Sequence, residues 1–286
     1  MNDFDAKLQR LVDAALLEDV GEGDHSTLCC IPADAKGKAV LKIKQEGILA
    51  GVEVAEKIFR YRSPKAVFIK HKSDGVAMHH GDVAFEVEAP VHTILQCERL
   101  VLNIMQRMSG IATLTKLYTD KLQGYKTQLL DTRKTTPNFR LLEKEAVRIG
   151  GGTNHRFGLY DMIMLKDNHI DYAGGIERAI ERAADYVARY KPGLKIEVET
   201  RSLEDVQKVI KVGIGRVHRI MLDNFVPADI TNAVAFIAGR FETEASGGIT
   251  LDTIQEYAAT GVDYVSVGGL IHQAKSLDLS LKAVIV

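Results

Sequence analysis

Beyond Gly124 the chain repeats one unit: a short apolar run, a polar end, then a helical stretch. The strands are read as TQLLDT (127–132), DMIMLK (161–166), KIEVET (195–200), RIMLDN (219–224), FETEAS (241–246) and YVSVGG (264–269). No hairpin signal joins neighbouring runs, so each strand returns through a helix and the sheet is parallel. In such a fold every C-terminal strand end lies on the same face. Here all of those ends carry chemistry: Asp131-Thr132-Arg133-Lys134, Lys166-Asp167-Asn168-His169, Glu199, Asp223-Asn224, Glu244 to Gly248, and Gly268-Gly269. An open sheet would concentrate them at one switch point, so polar ends on every unit favour a barrel. Six strands fall short of the usual eight, so either the (β/α) barrel is incomplete or further strands escape this reading.

The strand ends sort into three subsites. Arg133, Lys134, Arg156 and Lys166 come first, and guanidinium forks suit planar carboxylates or phosphate oxygens. Glu199 and Asp223 follow on adjacent strands, where lone acids suit ribose hydroxyls or a Mg2+ that keeps most of its waters. Ser246-Gly247-Gly248-Ile249-Thr250 and Gly268-Gly269 come last, where exposed backbone N–H groups cradle a terminal phosphate. Each piece has a plainer reading. A single basic residue near a strand end is usually a solvated loop charge. Glu199 could serve a structural ion pair, and Asp223 could cap the helix after Val226. His79-His80-Gly81-Asp82 has metal-ligand residue types but reads as a solvated turn.

The first hundred residues are different. Phe4, Leu8, Leu11, Val12, Ala15 and Leu16 fall at helical spacing, and that helix stops at Gly21–Gly23. From Lys38 to about Pro90 the runs AVLKIKQEGILAG, AVFIKHK and DVAFEVEAP alternate as strands, interrupted by a helix near 52–61. A long helical stretch from His92 to about Leu122 then connects the two regions, with a break or bend expected near Ser109 and Gly110. These runs read as a small α+β domain of about a hundred residues, joined by that helix to the repeating strand-helix units. With 286 residues and 46% hydrophobic content, the chain can bury a core without covalent help. Lys plus Arg total 37 against 38 for Asp plus Glu, so no overall basic field exists to hold a nucleic acid or an anionic membrane. No apolar run reaches membrane-spanning length. Cys29, Cys30 and Cys97 are an odd number without metal-site spacing, which argues for reduced thiols and a cytoplasmic protein.

With these residues in view, the chain resembles the quinolinate phosphoribosyltransferases, the carboxylating nicotinate-nucleotide pyrophosphorylases of NAD biosynthesis. The motifs that carry the likeness run almost end to end. They are LLEDVGEGDHST, ERLVLNIMQRMSGIAT, DTRKTTPNFRLLEKEAVRIGGGTNHRFGLYDMIMLKDNH, IEVET, MLDN, SGGIT and SVGG. The resemblance implies an N-terminal α/β sandwich over 1–110, an incomplete barrel over 111–271, a tail over 272–286 that can return to the first domain, and a homodimer in which each site borrows from its neighbour. It implies that Arg133, Arg156 and Lys166, with Thr132, His155 and Lys134 beside them, hold the pyridine dicarboxylate, and that Arg99 reaches in from the partner chain. Glu199 and Asp223 match the acids facing the ribose and its Mg2+-bound pyrophosphate. Ser246, Gly247, Gly248, Gly268 and Gly269 match the 5′-phosphate loops. Two departures stand out: VGIGRVHRIMLDN is longer than the usual connection, and Asn138 stands where the family often has Gly, a position where Asn also tolerates left-handed geometry.

The implied reaction transfers phosphoribosyl from phosphoribosyl pyrophosphate to quinolinate, with Lys134, Lys166, Glu199 and Asp223 as the catalytic set and Mg2+ as cofactor. Three alternatives remain open at this point. Lys166 at a barrel strand end could form a Schiff base; the barrel could bind a nucleotide without turnover; or the acceptor could be another aromatic acid.

Overall fold

The fold is that of a computed structural model, which describes residues 3–284. The first half of the chain forms α1 (Asp3–Val20), α2 (His25–Cys30), β1 (Lys36–Ile43), β2 (Gly47–Ile48), α3 (Val52–Arg62), β3 (Val67–Lys70), β4 (Ala77–Met78), β5 (Val83–Pro90) and α4 (Val91–Lys121). There follow β6 (Gln128–Leu130), α5 (Arg140–Ile149), β7 (Ile163–Leu165), α6 (Asp167–Ala173), α7 (Ile176–Tyr190), β8 (Ile196–Thr200), α8 (Leu203–Gly213) and β9 (Arg219–Asp223). The chain ends with α9 (Pro227–Ile237), β10 (Glu242–Ser246), α10 (Ile254–Ala259), β11 (Tyr264–Ser266), α11 (Gly269–His272) and β12 (Leu279–Val284). These elements divide into two compact units. One is Met1–Lys116 with Thr135–Gly151 and Leu270–Val286; the other is Leu117–Lys134 with Gly152–Gly269.

The first unit is built on an antiparallel sheet of order β12-β1-β5-β3. Alternation places Ala39, Leu41 and Ile43 of β1 inward, against Phe85 and Val87 of β5. Helix α3 covers this face with Val54, Ala55, Ile58 and Phe59, and the Phe68 and Phe85 rings stack with centroids 4.4 Å apart. The C-terminal tail returns as anticipated: β12 pairs antiparallel with β1 from Ile43↔Leu279 to Lys38↔Val284. The short helix α2, which the sequence reading did not include, is capped by Asp24, whose carboxylate accepts from the Thr27 amide at 3.1 Å. At the His79 turn, Asp82 accepts from the His79 amide at 2.9 Å, a solvated turn as expected.

Helix α4 departs from expectation, because it runs unbroken through Ser109 and Gly110. Both small residues serve close packing. Ser109 Oγ accepts from the Ala50 amide at 3.0 Å and donates to its carbonyl at 3.3 Å. A Cβ on Gly110 would lie 2.0 Å from the Lys275 carbonyl oxygen, so only glycine permits this approach. The segment 135–151, expected within the barrel, belongs to the first unit for an equally local reason. Arg107 on α4 donates Nε and Nη2 to Glu143 of α5 at 3.1 and 3.0 Å, and Nη1 and Nη2 to the carbonyls of Ala274 and Ile271, each at 2.7 Å. Glu143 also accepts from the Thr136 amide at 2.8 Å. One buried ion pair thus ties together three stretches remote in sequence.

The second unit holds the six anticipated strands in one parallel sheet of order β6-β11-β10-β9-β8-β7. The sheet does not close into a barrel, in keeping with the strand count read from the sequence. Ile196 and Val198 on β8, Ile220 and Leu222 on β9, and Ala245 on β10 alternate with polar residues and are fully or almost fully buried. Val206 and Val209 of α8 and Ile230 and Ala233 of α9 supply the buried faces of the covering helices. The polar residues on the other strand face, Glu197, Glu199, Arg219, Asp223, Glu242, Glu244 and Ser246, share one side of the sheet by the same period of two.

Candidate active site

Every anticipated site residue except Arg99 lies in the second unit; all of these lie at or just beyond the C-terminal end of a strand except His155 and Arg156, which come from the loop before β7. Arg99 is exposed on α4 in the first unit. Local capping explains why several of the others point where they do. Lys166 precedes α6, and its amide donates to Nδ1 of His169 at 3.0 Å, which fixes the strand-to-helix turn beneath the lysine. The Lys166 ammonium is half-exposed and donates to Glu199 Oε2 at 3.2 Å, whereas Glu199 itself is buried. The cap of α9 is Val226, with Pro227 opening the helix. Asp223 is therefore not spent on capping; it accepts from Asn224 Nδ2 at 2.6 Å and stays partly exposed.

The basic arm comes from two loops. In the loop after β6, the Lys134 amide donates to Thr132 Oγ1 at 3.0 Å, an arrangement that shapes the turn carrying Arg133 and Lys134. In the loop before β7, Arg156 is 9% exposed, with Nη1 on the Met162 carbonyl at 3.1 Å and Nη2 by Met164 Sδ at 3.7 Å. Burial and the neighbouring Arg133 guanidinium pull Arg156 below the usual arginine value, opposed by Glu197 and Asp161. Two guanidinium groups held this close form a site that an anion with more than one carboxylate would relieve.

His155 sits one layer below. Its side chain is only 4% exposed, and Nε2 lies 3.1 Å from Glu197 Oε2 and 3.3 Å from Glu244 Oε2. Burial opposes a charge on this ring, but the facing Glu197 and Glu244 outweigh it and lift His155 to about 9. The Arg156 amide donates to Nδ1 at 2.6 Å, which works against a second proton there. The contact between Nε2 and the two carboxylates is one of charge and proximity. Burial first, and then the nearby Glu244, raise Glu197 above the ordinary glutamate value. Despite its burial, Glu244 is held low by His155, Arg219 and Ser266. Asp131, read as a strand-end candidate, is fully buried and accepts from the His155 amide at 2.8 Å.

The glycine-rich end is shaped by backbone geometry. Gly247 has φ +99° and Gly248 φ +64°, and the Asn224 amide donates to the Ser246 carbonyl at 2.8 Å. Gly247 packs so tightly on Asn224 that a Cβ would fall 2.2 Å from its Oδ1. The Val267 amide donates to the Leu130 carbonyl at 3.0 Å, which places Gly268 and Gly269 just past the end of β11.

Glu197 and Arg219 were not anticipated as functional residues. Alternation was the available signal, since the EVE of β8 and the RIMLD of β9 put them on the same face as Glu199 and Asp223.

Comparison with known proteins shows the family to which the chain belongs. Residues 24–109 match the model of the quinolinate phosphoribosyl transferase N-terminal domain, and residues 111–282 match that of its C-terminal domain. The chloroplastic nicotinate-nucleotide pyrophosphorylase [carboxylating] of Arabidopsis thaliana is 44% identical over 96% of this chain and 82% of its own length. The probable nicotinate-nucleotide pyrophosphorylase [carboxylating] of Bacillus subtilis is 41% identical over 96% of this chain and 93% of its own. Among solved structures, NadC from Streptococcus pyogenes superposes with a TM-score of 0.88 at 41% identity, covering 97% of each chain.

Proposed function

Since the chain belongs to the quinolinate phosphoribosyltransferase family, we propose the following division of labour among its residues. The enzyme is a carboxylating nicotinate-nucleotide pyrophosphorylase: quinolinate and phosphoribosyl pyrophosphate give nicotinate mononucleotide, pyrophosphate and carbon dioxide. The observation that best supports the assignment of roles is the grouping in one unit of a paired-arginine arm, two acids on adjacent strands, and two glycine turns.

Arg133 and Arg156, with Lys166 and Thr132, bind the two carboxylates of quinolinate. Ser246, Gly247, Gly248, Gly268 and Gly269 offer backbone N–H groups to the 5′-phosphate. Glu199 and Asp223 face the ribose. The hard oxygen donors of these two acids fit a Mg2+ ion that retains most of its waters and enters with the pyrophosphate, where it supplies positive charge for the leaving group. As the C1–pyrophosphate bond breaks, C1 becomes cation-like and the ring nitrogen forms the new C1–N bond. The Glu199 and Asp223 carboxylates stabilise that positive charge, an electrostatic effect of several kcal/mol. The C2–carboxylate bond then breaks, its electron pair is held beside the cationic ring nitrogen, and C2 takes up a proton. Lys134 and Lys166 stand near the departing group and compensate its charge.

Lys166 donates to Glu199, an engagement that disfavours the Schiff-base alternative, which needs a free neutral amine. Two guanidinium groups and an ammonium favour a diacid over a monoacid such as nicotinate. The proposal extends to a homodimer in which Arg99 completes the neighbouring site, and to a reducing compartment such as the cytoplasm. Free, exposed Cys29 and Cys30 support the latter. No described helix is long and apolar enough to cross a membrane.

The decisive assay mixes enzyme, Mg2+, phosphoribosyl pyrophosphate and carboxyl-labelled quinolinate. Labelled carbon dioxide and nicotinate mononucleotide should form in equal amounts, and replacing quinolinate with nicotinate should give little nucleotide. Equal use of nicotinate would refute the diacid pocket. Mixing Arg99→Ala and Glu199→Gln proteins, each strongly impaired alone, should restore part of the activity; no recovery after subunit exchange would refute the shared site.

A further inference from the structure

The interior layer of a parallel barrel is ordinarily filled by branched apolar side chains. Here that layer contains His155, Glu197, Arg219 and Glu244, all buried. Arg219 Nη1 lies 2.9 Å from Glu244 Oε2 and 3.9 Å from Glu197 Oε2, and its guanidinium carbon sits 4.0 Å from the Tyr264 ring centroid. Burying ions in this way seldom adds stability over a well-packed apolar layer, so the cluster calls for another explanation. His155, Glu197 and Glu244 could in principle ligate a divalent ion, their donor atoms all lying within 4.8 Å of one another. Arg219 already brings a cation to the two carboxylates, and a second one would be repelled.

What the cluster does hold is the segment that bears Arg156. The His155 ring is gripped by Glu197 and Glu244, its amide by Asp131, and its Nδ1 by the amide of Arg156. Glu197 is also one of the acids that offset the repulsion between Arg156 and Arg133. Resting on the assignment of Arg156 to quinolinate, we propose that Glu197, Glu244 and Arg219 form a buried cradle that positions His155 and, through the His155–Arg156 peptide, aims the Arg156 guanidinium at the substrate carboxylate. His155 and the cradle are thus positioning residues, and the contact with substrate is made by Arg156.

The test is a double-mutant cycle on the full-length enzyme, with Glu197→Gln and Arg156→Lys made singly and together. Glu197→Gln keeps the side-chain volume and removes the charge. It should raise the KM for quinolinate about tenfold while kcat and the KM for phosphoribosyl pyrophosphate move less than about threefold. In the Arg156→Lys background the same change should have almost no further effect on that KM. Glu244→Gln, which removes the other arm of the cradle, should behave alike. Equal factors in both backgrounds would mean a general structural role and overturn the proposal, as would failure of both glutamine variants to fold. Stoichiometric divalent metal in the purified enzyme would overturn it in favour of a metal site. If the wild-type enzyme formed no nicotinate mononucleotide, the functional reading itself would fail. An unchanged quinolinate KM in a Glu197→Gln enzyme that still turns over would remove only the cradle.

Discussion

Replacing Gly247 by alanine tests the proposed phosphate loop through geometry alone. At φ +99° the backbone lies beyond the left-handed pocket that L-residues tolerate, a strain of about 1–3 kcal/mol. The new Cβ would also meet Asn224 at 2.2 Å from Oδ1, 2.7 Å from Cγ and 2.9 Å from the backbone nitrogen. The side chain could swing away by giving up its 2.6 Å hydrogen bond to Asp223, at a cost of about 1 kcal/mol, but the backbone nitrogen cannot. The total is about 2–4 kcal/mol; at 1.4 kcal/mol per factor of ten this is roughly 30- to 700-fold in affinity for whatever the loop holds. Steady-state kinetics on Gly247→Ala should therefore show the loss in the KM for phosphoribosyl pyrophosphate, with the KM for quinolinate changed less than about threefold. Gly248→Asn is the control: φ is +64°, a Cβ meets nothing within 4 Å, and asparagine accepts this conformation, so stability should fall by no more than about 1 kcal/mol. A Gly247→Ala enzyme that binds phosphoribosyl pyrophosphate like the parent would refute both the strain argument and the placement of the phosphate.

Glu199→Gln removes the charge proposed to face the ribose, and kcat should fall about 100-fold while the KM for quinolinate stays within a few-fold; unchanged turnover would exclude Glu199 from the chemistry. Asp263 lies below its ordinary value of 3.8: partial burial opposes its charge, but Thr243 and Lys126 outweigh that. Its stabilisation is therefore complete above the ordinary value and lost as pH falls through the lowered one. Thermal melts of Asp263→Asn should show a deficit of about 1 kcal/mol or less at neutral pH, discounted for exposure, that closes in acid; a deficit independent of pH would contradict this. Cys97 is fully buried, and burial pushes its thiol up to about 11, so a disulfide reagent at neutral pH should label Cys29 and Cys30 in the native protein and Cys97 only after unfolding. Mass mapping of the labelled sites decides the matter.

The six parallel strands were legible because each is an apolar run ending in a polar cluster, and their period of two is sharp. RIMLDN places Arg219, Met221 and Asp223 on one face whatever the neighbouring residues are. What escaped sequence reading depends on tertiary partners. Ser109 and Gly110 carry the signature of a helix break, yet they sit inside an unbroken helix because Ala50 and Lys275 come close to it. Segment 135–151 was read as part of the barrel because it lies between two barrel strands. Its allegiance to the first unit comes from tertiary partners such as Arg107, which pairs with Glu143. Among the site candidates, local spacing was sufficient to list Lys166, Glu199 and Asp223. It could not show that the His155 ring is directed into the interior, because that depends on carboxylates from β8 and β10.

The pairing of β12 with β1 has a consequence for how the protein is made. During translation, β1 emerges early with one hydrogen-bonding edge open, and the strand that covers it follows only after the entire parallel sheet has left the ribosome. Until then the exposed edge is a template for pairing with other nascent chains. Its outward lysines, Lys36, Lys38 and Lys42, are the kind of charge that discourages such encounters while the chain waits for its own last strand.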